Sequence, residues 1–290
     1  MKTLLVTGAS GFLGWHLCQI AQQQWRVVGT SYRHGCQGLE VPIVAIDLTD
    51  TQALTTLFHE VQPDAVIHTA AQSKPNLCQL EPEAAYAINV MASWHIADLC
   101  AEADIPCVFT SSELVFDGLH PPYREDDPVN PVNVYGEQKV LAEQGMLARY
   151  PKTAVCRMPL MFGVATPAES FLQPFLQKLR SGTELTLFID EIRTPISARA
   201  ACHGLLLALE KVQGYLHLGG KERVSRYEFG QLLVEIFNLT TANIKPCRQA
   251  DVPMPAPRPP DVSMDSSLAY SLGYNPGNLR QELIAVRQSM

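Results

Sequence analysis

Short apolar runs alternate with longer amphipathic ones through the first half of the chain. The runs at Thr3–Thr7, Arg26–Ser31, Pro42–Ile46, Ala65–Thr69, Pro106–Ser111 and Thr153–Met158 are apolar on successive residues, as strands buried on both faces are. Between them, Gly11–Gln23, Thr51–Glu60, Pro82–Cys100 and Val134–Arg149 carry apolar positions at helical spacing. Asp50 or Thr49 is placed to cap the second of these, ahead of an apolar face of Leu54, Leu57, Phe58 and Val61. This alternation predicts βαβ units, hence an α/β fold with a doubly wound, Rossmann-like parallel sheet.

After Met158 the pattern loosens. Helical spacing returns at Ser170–Ser181, Ala198–Lys211, Ser225–Phe237 and Leu279–Gln288, and Gly214–Gly220 reads as one more sheet strand. The stretch "PMPAPRPPD", Pro253 to Asp261, can be neither a regular helix nor a central strand, because proline lacks the N–H that both require. The core is therefore expected over residues 1–158 with 196–220, and a smaller C-terminal substrate lobe over 159–195 with 221–290.

Composition narrows the function. Hydrophobic residues make up 47% of the 290, enough for a sizeable core, and the net charge is -7. There is no basic run or basic patch interleaved with aromatics, so nucleic acid is not the expected partner. The first apolar stretch runs into glycines after five residues, too short for a signal peptide or a membrane span. Eight cysteines are scattered without a C-x-x-C pair, which reads as free thiols in a reducing cytoplasm, with no metal site.

"VTGASGFLG" joins the first strand to the first helix. Gly8, Gly11 and Gly14 let the backbone turn tightly and approach a pyrophosphate, and the helix start offers N–H groups and a positive dipole end. The backbone of Ser10, Gly11, Phe12, Leu13 and Gly14 is the expected dinucleotide contact. No Asp or Glu ends the second strand, where one would bind a ribose 2′-hydroxyl. Thr30, Ser31 and Arg33 stand there instead, and hydroxyls with a cation suit a 2′-phosphate, so NADP(H) is favoured over NAD(H). Thr69, Ala70 and Ala71 follow the fourth strand, where small residues let the cofactor pass.

Tyr135 and Lys139 are four residues apart, which puts both on one face of a helix. An ammonium about 4 Å from the phenol would favour phenolate by up to about 4 kcal/mol at an effective dielectric of about 20. That would lower the phenol from near 10 by about three units before desolvation opposes it, a bound oxidised nicotinamide would act in the same direction, and Tyr135 would then carry a proton near pH 7.

The T-G-x-x-G-x-x-G turn and the downstream Y-x-x-x-K resemble the short-chain dehydrogenase/reductase superfamily, in its extended form. The resemblance implies that Asp47 and Leu48 meet the adenine, that Ser112 (Ser111 is the adjacent alternative) bonds the substrate carbonyl, and that Lys139 also meets the nicotinamide ribose. It further implies that Asn89 helps hold a water and the lysine. His68 is read as a packed or cofactor-adjacent histidine.

"SSELVFDG", "CRMPLMFG", "DEIRTPIS" and "APRPPDVSMDSSL" are similar to elements of the dTDP-4-dehydrorhamnose reductase family. That likeness implies hydride transfer from NADPH to a keto sugar carried on a nucleotide, with Tyr135 as proton donor, and a homodimer through Pro82–Cys100 and Val134–Arg149. Leu114 and Leu160 replace two aromatics of that family, and Ile192-Arg193 replaces its Gly-Ser. Glu113, Arg193 and Arg258 are accordingly expected at the substrate, the arginines on an anionic group. Two other readings stay open: another short-chain reductase, epimerase or dehydratase, or a regulatory NADP-binding subunit.

Overall fold

The structure, a computed structural model, describes every residue except 33, 34, 167, 169 and 241. Its centre is a seven-stranded, all-parallel sheet. The strands are β1 (Thr3–Thr7), β2 (Arg26–Ser31), β3 (Ile43–Ala45), β4 (Ala65–His68), β5 (Cys107–Ser112), β6 (Ala154–Met158) and β7 (Gly214–His217). They lie in the order β7-β6-β5-β4-β1-β2-β3. The order reverses between β1 and β4, and α/β sheets bind ligands in the crevice that such a switch leaves at the strand C-termini.

Alternation along each strand builds two cores. Leu4 and Val6 face a cluster with Leu13, Leu17 and Cys18 of α1 (Phe12–Ala21). Leu5 faces the other side, with Leu54, Leu57 and Phe58 of α2 (Thr51–Val61) and Ile96 of α3 (Ala92–Ala103). Met146 of α4 (Val134–Arg149) joins that second cluster. The period-two geometry of a strand requires this split, and each fully buried side chain of this size contributes about 1.5–3 kcal/mol. Asp50 caps α2, its side chain accepting from Ala53 N at 3.0 Å.

Helix α5 (Leu172–Arg180), α6 (Ala198–Lys211), α7 (Arg226–Phe237) and α8 (Leu279–Gln288) complete the fold. Leu205 and Leu209 of α6 belong to the α1 side of the sheet. A third cluster gathers Phe162, Leu176 of α5, Leu187, Phe229 and Leu233 of α7, and Leu283 of α8. It lies beside two elements without a clear sequence signal, the parallel pair Leu185–Phe188 and Ile244–Cys247. The proline-rich stretch contains no helix, and Asp261 at its end bridges to Ile192. Among the described residues no helix is long and apolar enough to cross a membrane.

Candidate active site

The first turn is held by contacts that only glycine permits. Gly8 sits at φ +76°, and a Cβ there would lie 2.8 Å from Ala70 Cα and N. At Gly14 a Cβ would collide with the Gly8 carbonyl oxygen and lie 2.9 Å from Thr69 Oγ1. Gly11 N donates to Gly8 O at 2.9 Å, and no side chain caps α1. The loop after β4 is tied to the same place: Thr69 Oγ1 donates to Thr7 O at 2.6 Å. Thr30 helps hold the turn, its carbonyl accepting from Ala9 N at 2.8 Å and its hydroxyl from Gly8 N at 3.3 Å. Ser31 is buried and pairs with Cys36. Arg33 lies outside the described residues. Asp47 accepts from Thr49 N at 2.9 Å and Thr49 Oγ1 at 2.7 Å, closing a turn, and Leu48 is buried in the second core.

The β5 and α4 termini bring Ser112, Tyr135 and Lys139 together. Asn133 caps α4 by accepting from Gly136 N at 2.9 Å, and its Nδ2 donates to Pro257 O at 2.9 Å. Tyr135 is 8% exposed and Lys139 2%. Lys139 Nζ donates to Thr110 O at 2.9 Å and lies 5.8 Å from the Tyr135 ring centre. Tyr135 hydrogen-bonds Ser112, while the Ser111 hydroxyl is buried without a partner among the described residues. Of the two serines, Ser112 is therefore the one at the tyrosine.

One expectation is corrected here. Burial, followed by the Cys78 sulfur, holds the Tyr135 phenol above its ordinary range; the Ser112 hydrogen bond opposes this and Glu113 adds to it. Burial also depresses Lys139 to about 8, against Glu143 and Cys78. Desolvation is the largest cause at both groups. The chain's own groups thus keep Tyr135 protonated, the form that donates.

Asn89 sits in a π-helical turn, Ala87–Met91, between the short helix Pro82–Tyr86 and α3. Its Oδ1 accepts from Gln72 N at 2.8 Å, and its Nδ2 donates to Gln138 Oε1 at 2.9 Å. The side chain therefore fastens the loop after β4 to α4, and its hydrogen-bond partners among the described residues are Gln72, Cys78 and Gln138 rather than Lys139. His68 is fully buried. Thr7 Oγ1 already accepts from Thr69 N and Ala70 N, so its hydrogen goes to His68 Nδ1 at 2.6 Å. His68 Nε2 then donates to Ser93 Oγ at 3.0 Å. Burial, then Lys139, lowers His68 to about 3, so it is a neutral packed group.

The arginine expectations change most. Arg193 is 3% exposed and engaged within the protein. Its Nη1 donates to Ile192 O at 2.6 Å and Pro260 O at 3.3 Å, its Nη2 to Pro259 O at 3.2 Å, and its Nε lies 3.2 Å from Glu113 Oε1. A guanidinium engaged in this way holds a carboxyl in place and has four of its five N–H groups turned to the protein. Arg258 is half-buried and binds Ala256 O at 2.8 Å and Asn76 Oδ1 at 3.0 Å. Two residues that sequence reasoning missed complete the group. Glu191 Oε1 lies 3.6 Å from Arg193 Nη2 and 3.8 Å from Arg226 Nε. Burial pushes the Glu113 carboxyl up to about 8; Arg193, Arg226 and the Leu160 amide oppose this, and Glu191 reinforces it. Among the described residues no cluster of His, Cys, Asp and Glu could hold a metal ion.

A family model described as the RmlD substrate binding domain matches residues 1–289. The rat (Rattus norvegicus) methionine adenosyltransferase 2 subunit beta is 30% identical over 281 residues, covering 94% of this chain and 83% of that protein. The crystal structure of a hypothetical dTDP-4-dehydrorhamnose reductase from Sulfolobus tokodaii is 32% identical, with a TM-score of 0.82 over 93% of this chain and 94% of that one. The dTDP-4-dehydrorhamnose reductase of Bacillus anthracis, solved in complex with NADP, shares the fold at a TM-score of 0.87 and 20% identity, over 100% of this chain and 99% of that one.

Proposed function

Since the chain belongs to the RmlD substrate binding domain family, we propose that it is an NADPH-dependent reductase of a keto sugar carried on a nucleotide, with Tyr135 as proton donor. One observation carries this reading: Ser112, Tyr135 and Lys139 meet in a buried site where the phenol is kept protonated. The uncapped start of α1 beside Gly8, Gly11 and Gly14 fits a dinucleotide pyrophosphate. When bound, the cofactor supplies the hydride. Ser112 orients the substrate carbonyl, and the Tyr135 hydroxyl gives its proton to the carbonyl oxygen as the oxygen gains charge. Lys139, fixed on Thr110 O, steadies the phenolate that remains.

The residues 159–195 and 221–290 are the proposed substrate lobe, with Arg258 as the cation for the diphosphate linker. The eight free cysteines suit a reducing cytoplasm. A homodimer would form on Pro82–Cys100 and Val134–Arg149, where Pro82, Tyr86, Val134 and Leu141 line a groove of about 400 Å³.

NADPH consumption against a panel of nucleotide-linked keto sugars and simple ketones tests the reading. A nucleotide-linked sugar should be the best substrate. The reading fails if a neutral ketone without phosphate turns over as well as every sugar nucleotide tried. The 30% identity to the rat subunit supports a second reading, a regulatory NADP-binding subunit. NADP binding with no NADPH oxidation on any carbonyl would favour it.

A further inference from the structure

A buried ion pair joins α4, the helix that bears Tyr135 and Lys139, to β6. Arg157 of β6 grips both oxygens of Glu143 on α4: Nε donates to Oε1 at 3.1 Å and Nη2 to Oε2 at 3.0 Å. Glu143 is 1% exposed and Arg157 2%. Arg157 is fixed in turn, with Nη1 donating to Glu125 O at 3.3 Å and the guanidinium over the rings of Phe116 and Tyr215 at 5.1 and 4.4 Å. Such a pair seldom stabilises a fold more than apolar side chains of the same size would, so its place matters more than its strength. Glu143 stands four residues after Lys139, one helical turn along the same face. The Lys139 ammonium itself meets no carboxylate among the described residues: Nζ donates to Thr110 O and lies over the Phe109 ring at 4.6 Å.

We propose that Glu143 is a positioning residue for the reaction, its carboxylate keeping the Lys139 ammonium charged at the reaction centre while Arg157 holds that carboxylate in place. The inference rests on Tyr135 and Lys139 forming that centre. Burial strips a proton from a lysine, and it has drawn Lys139 down to about 8, with Glu143 the first group to oppose it and Cys78 the second. The other groups packed around Lys139 bring no negative charge. Tyr135 on α4 and Cys78 on the short helix Pro75–Leu80 are both kept protonated by burial. His68 on β4 is neutral, and β5 offers the Thr110 carbonyl and the Phe109 ring. Glu113, just after β5, acts on Tyr135, and Arg157 faces Glu143. A neutral Lys139 could not steady the phenolate that proton transfer leaves. An apolar residue at position 143 could fill the same space, but it would let Lys139 lose its proton in the working range.

The test is an NMR pH titration of the full chain labelled with carbon-13 at the lysine ε-carbons, Lys139 being assigned by its loss in Lys139→Met. The wild-type midpoint should lie near 8. Glu143→Gln should lower it by at least about one pH unit, since an unopposed charge about 6 Å away at an effective dielectric of about 20 accounts for about two. The sign separates this role from a structural one. A site loosened by the substitution admits water, and the lysine then rises towards its ordinary 10.5. A midpoint that falls by less than about one unit, or rises, overturns the proposal. If Glu143→Gln does not fold by circular dichroism, because Arg157 is left buried without its partner, Glu143→Gln combined with Arg157→Gln is read in its place. The opposing charge is then removed as well, so a fall of at least about half a unit supports the proposal and anything less overturns it. The titration needs no substrate, so its outcome is separate from whether a nucleotide-linked sugar turns over. On any carbonyl that the NADPH-loaded protein reduces, the alkaline limb of kcat/KM should move down with the Lys139 midpoint, and a limb that stays in place overturns the proposal.

Discussion

On the β1–α1 side of the crevice the protein works with backbone. Gly8 and Gly14 leave no room for a side chain, and amides and carbonyls make the contacts. On the opposite side it works with buried charge: Glu113, Arg193, Glu191 and Arg226 are linked in that order, with two atoms left without a hydrogen-bond partner among the described residues. The first side is rigid and suits a ligand shared by many proteins. The second is bought at a desolvation cost and can be retuned by single substitutions, which suits the group that distinguishes one substrate from another. Tyr135 stands between them, tied to Ser112 on one side and within the field of Glu113 on the other.

The largest effect is expected at that middle position. Tyr135→Phe should lower turnover on a confirmed substrate by about 10²–10⁴-fold, the range of general acid catalysis, while NADP still binds. Full activity in that variant would remove the proton donor assigned here. Next comes the backbone side. Gly14→Ala drives a Cβ into the Gly8 carbonyl oxygen, and overpacking of this kind costs about 1–3 kcal/mol. NADPH affinity, read by fluorescence titration, should drop about ten- to hundredfold; an unchanged affinity would mean that the turn does not carry the cofactor. On the charged side, Arg258→Ala should raise KM for a nucleotide-linked substrate by about tenfold, a surface-accessible charged contact's worth, without changing NADPH affinity. A change in NADPH affinity instead would put Arg258 on the wrong side of the comparison.

The smallest effect concerns stability. Burial, then Arg157, lowers His217 to about 3. The folded chain keeps this ring neutral, whereas the unfolded chain protonates it below its ordinary 6.5. Stability from this site is therefore complete above pH 6.5 and is lost as the pH falls towards 3. His68 acts in the same direction. Thermal melts of His217→Gln should show a shallower decline of Tm over that window than the wild type. An identical decline would show that His217 does not titrate on unfolding.

Local features were legible in the sequence. The strand and helix pattern, the three glycines and the four-residue spacing of Tyr135 and Lys139 each depend on residues close together in the chain, so propensity and period suffice. The helices Val134–Arg149, Ala198–Lys211 and Leu279–Gln288 have the expected limits. What escaped depends on distant pairing. Nothing in "DEIR" says that Arg193 will meet Glu113, 80 positions earlier by number, or that Arg226 will share Glu191. The size of the opposing desolvation at Tyr135 was out of reach for a related reason. Spacing supplies the neighbour on the helix, but burial comes from elements elsewhere in the chain, and burial dominates. Four-residue strands such as Leu185–Phe188 are too short to carry a period.

The tie between Asn133 Nδ2 and Pro257 O has a bearing on the order of assembly. The cap of the helix that bears Tyr135 is finished by a residue made more than a hundred positions later, and the clasp on Arg193 waits for Pro259 and Pro260. At about 5–20 residues per second, synthesis separates the two events by several seconds. Throughout that interval the residues of β1–β5 and the glycine turn have been made, whereas Pro257, Pro259 and Pro260 have not. Synthesis is therefore staggered, with the residues of the glycine turn made first and those that clamp Asn133 and Arg193 made last of this set.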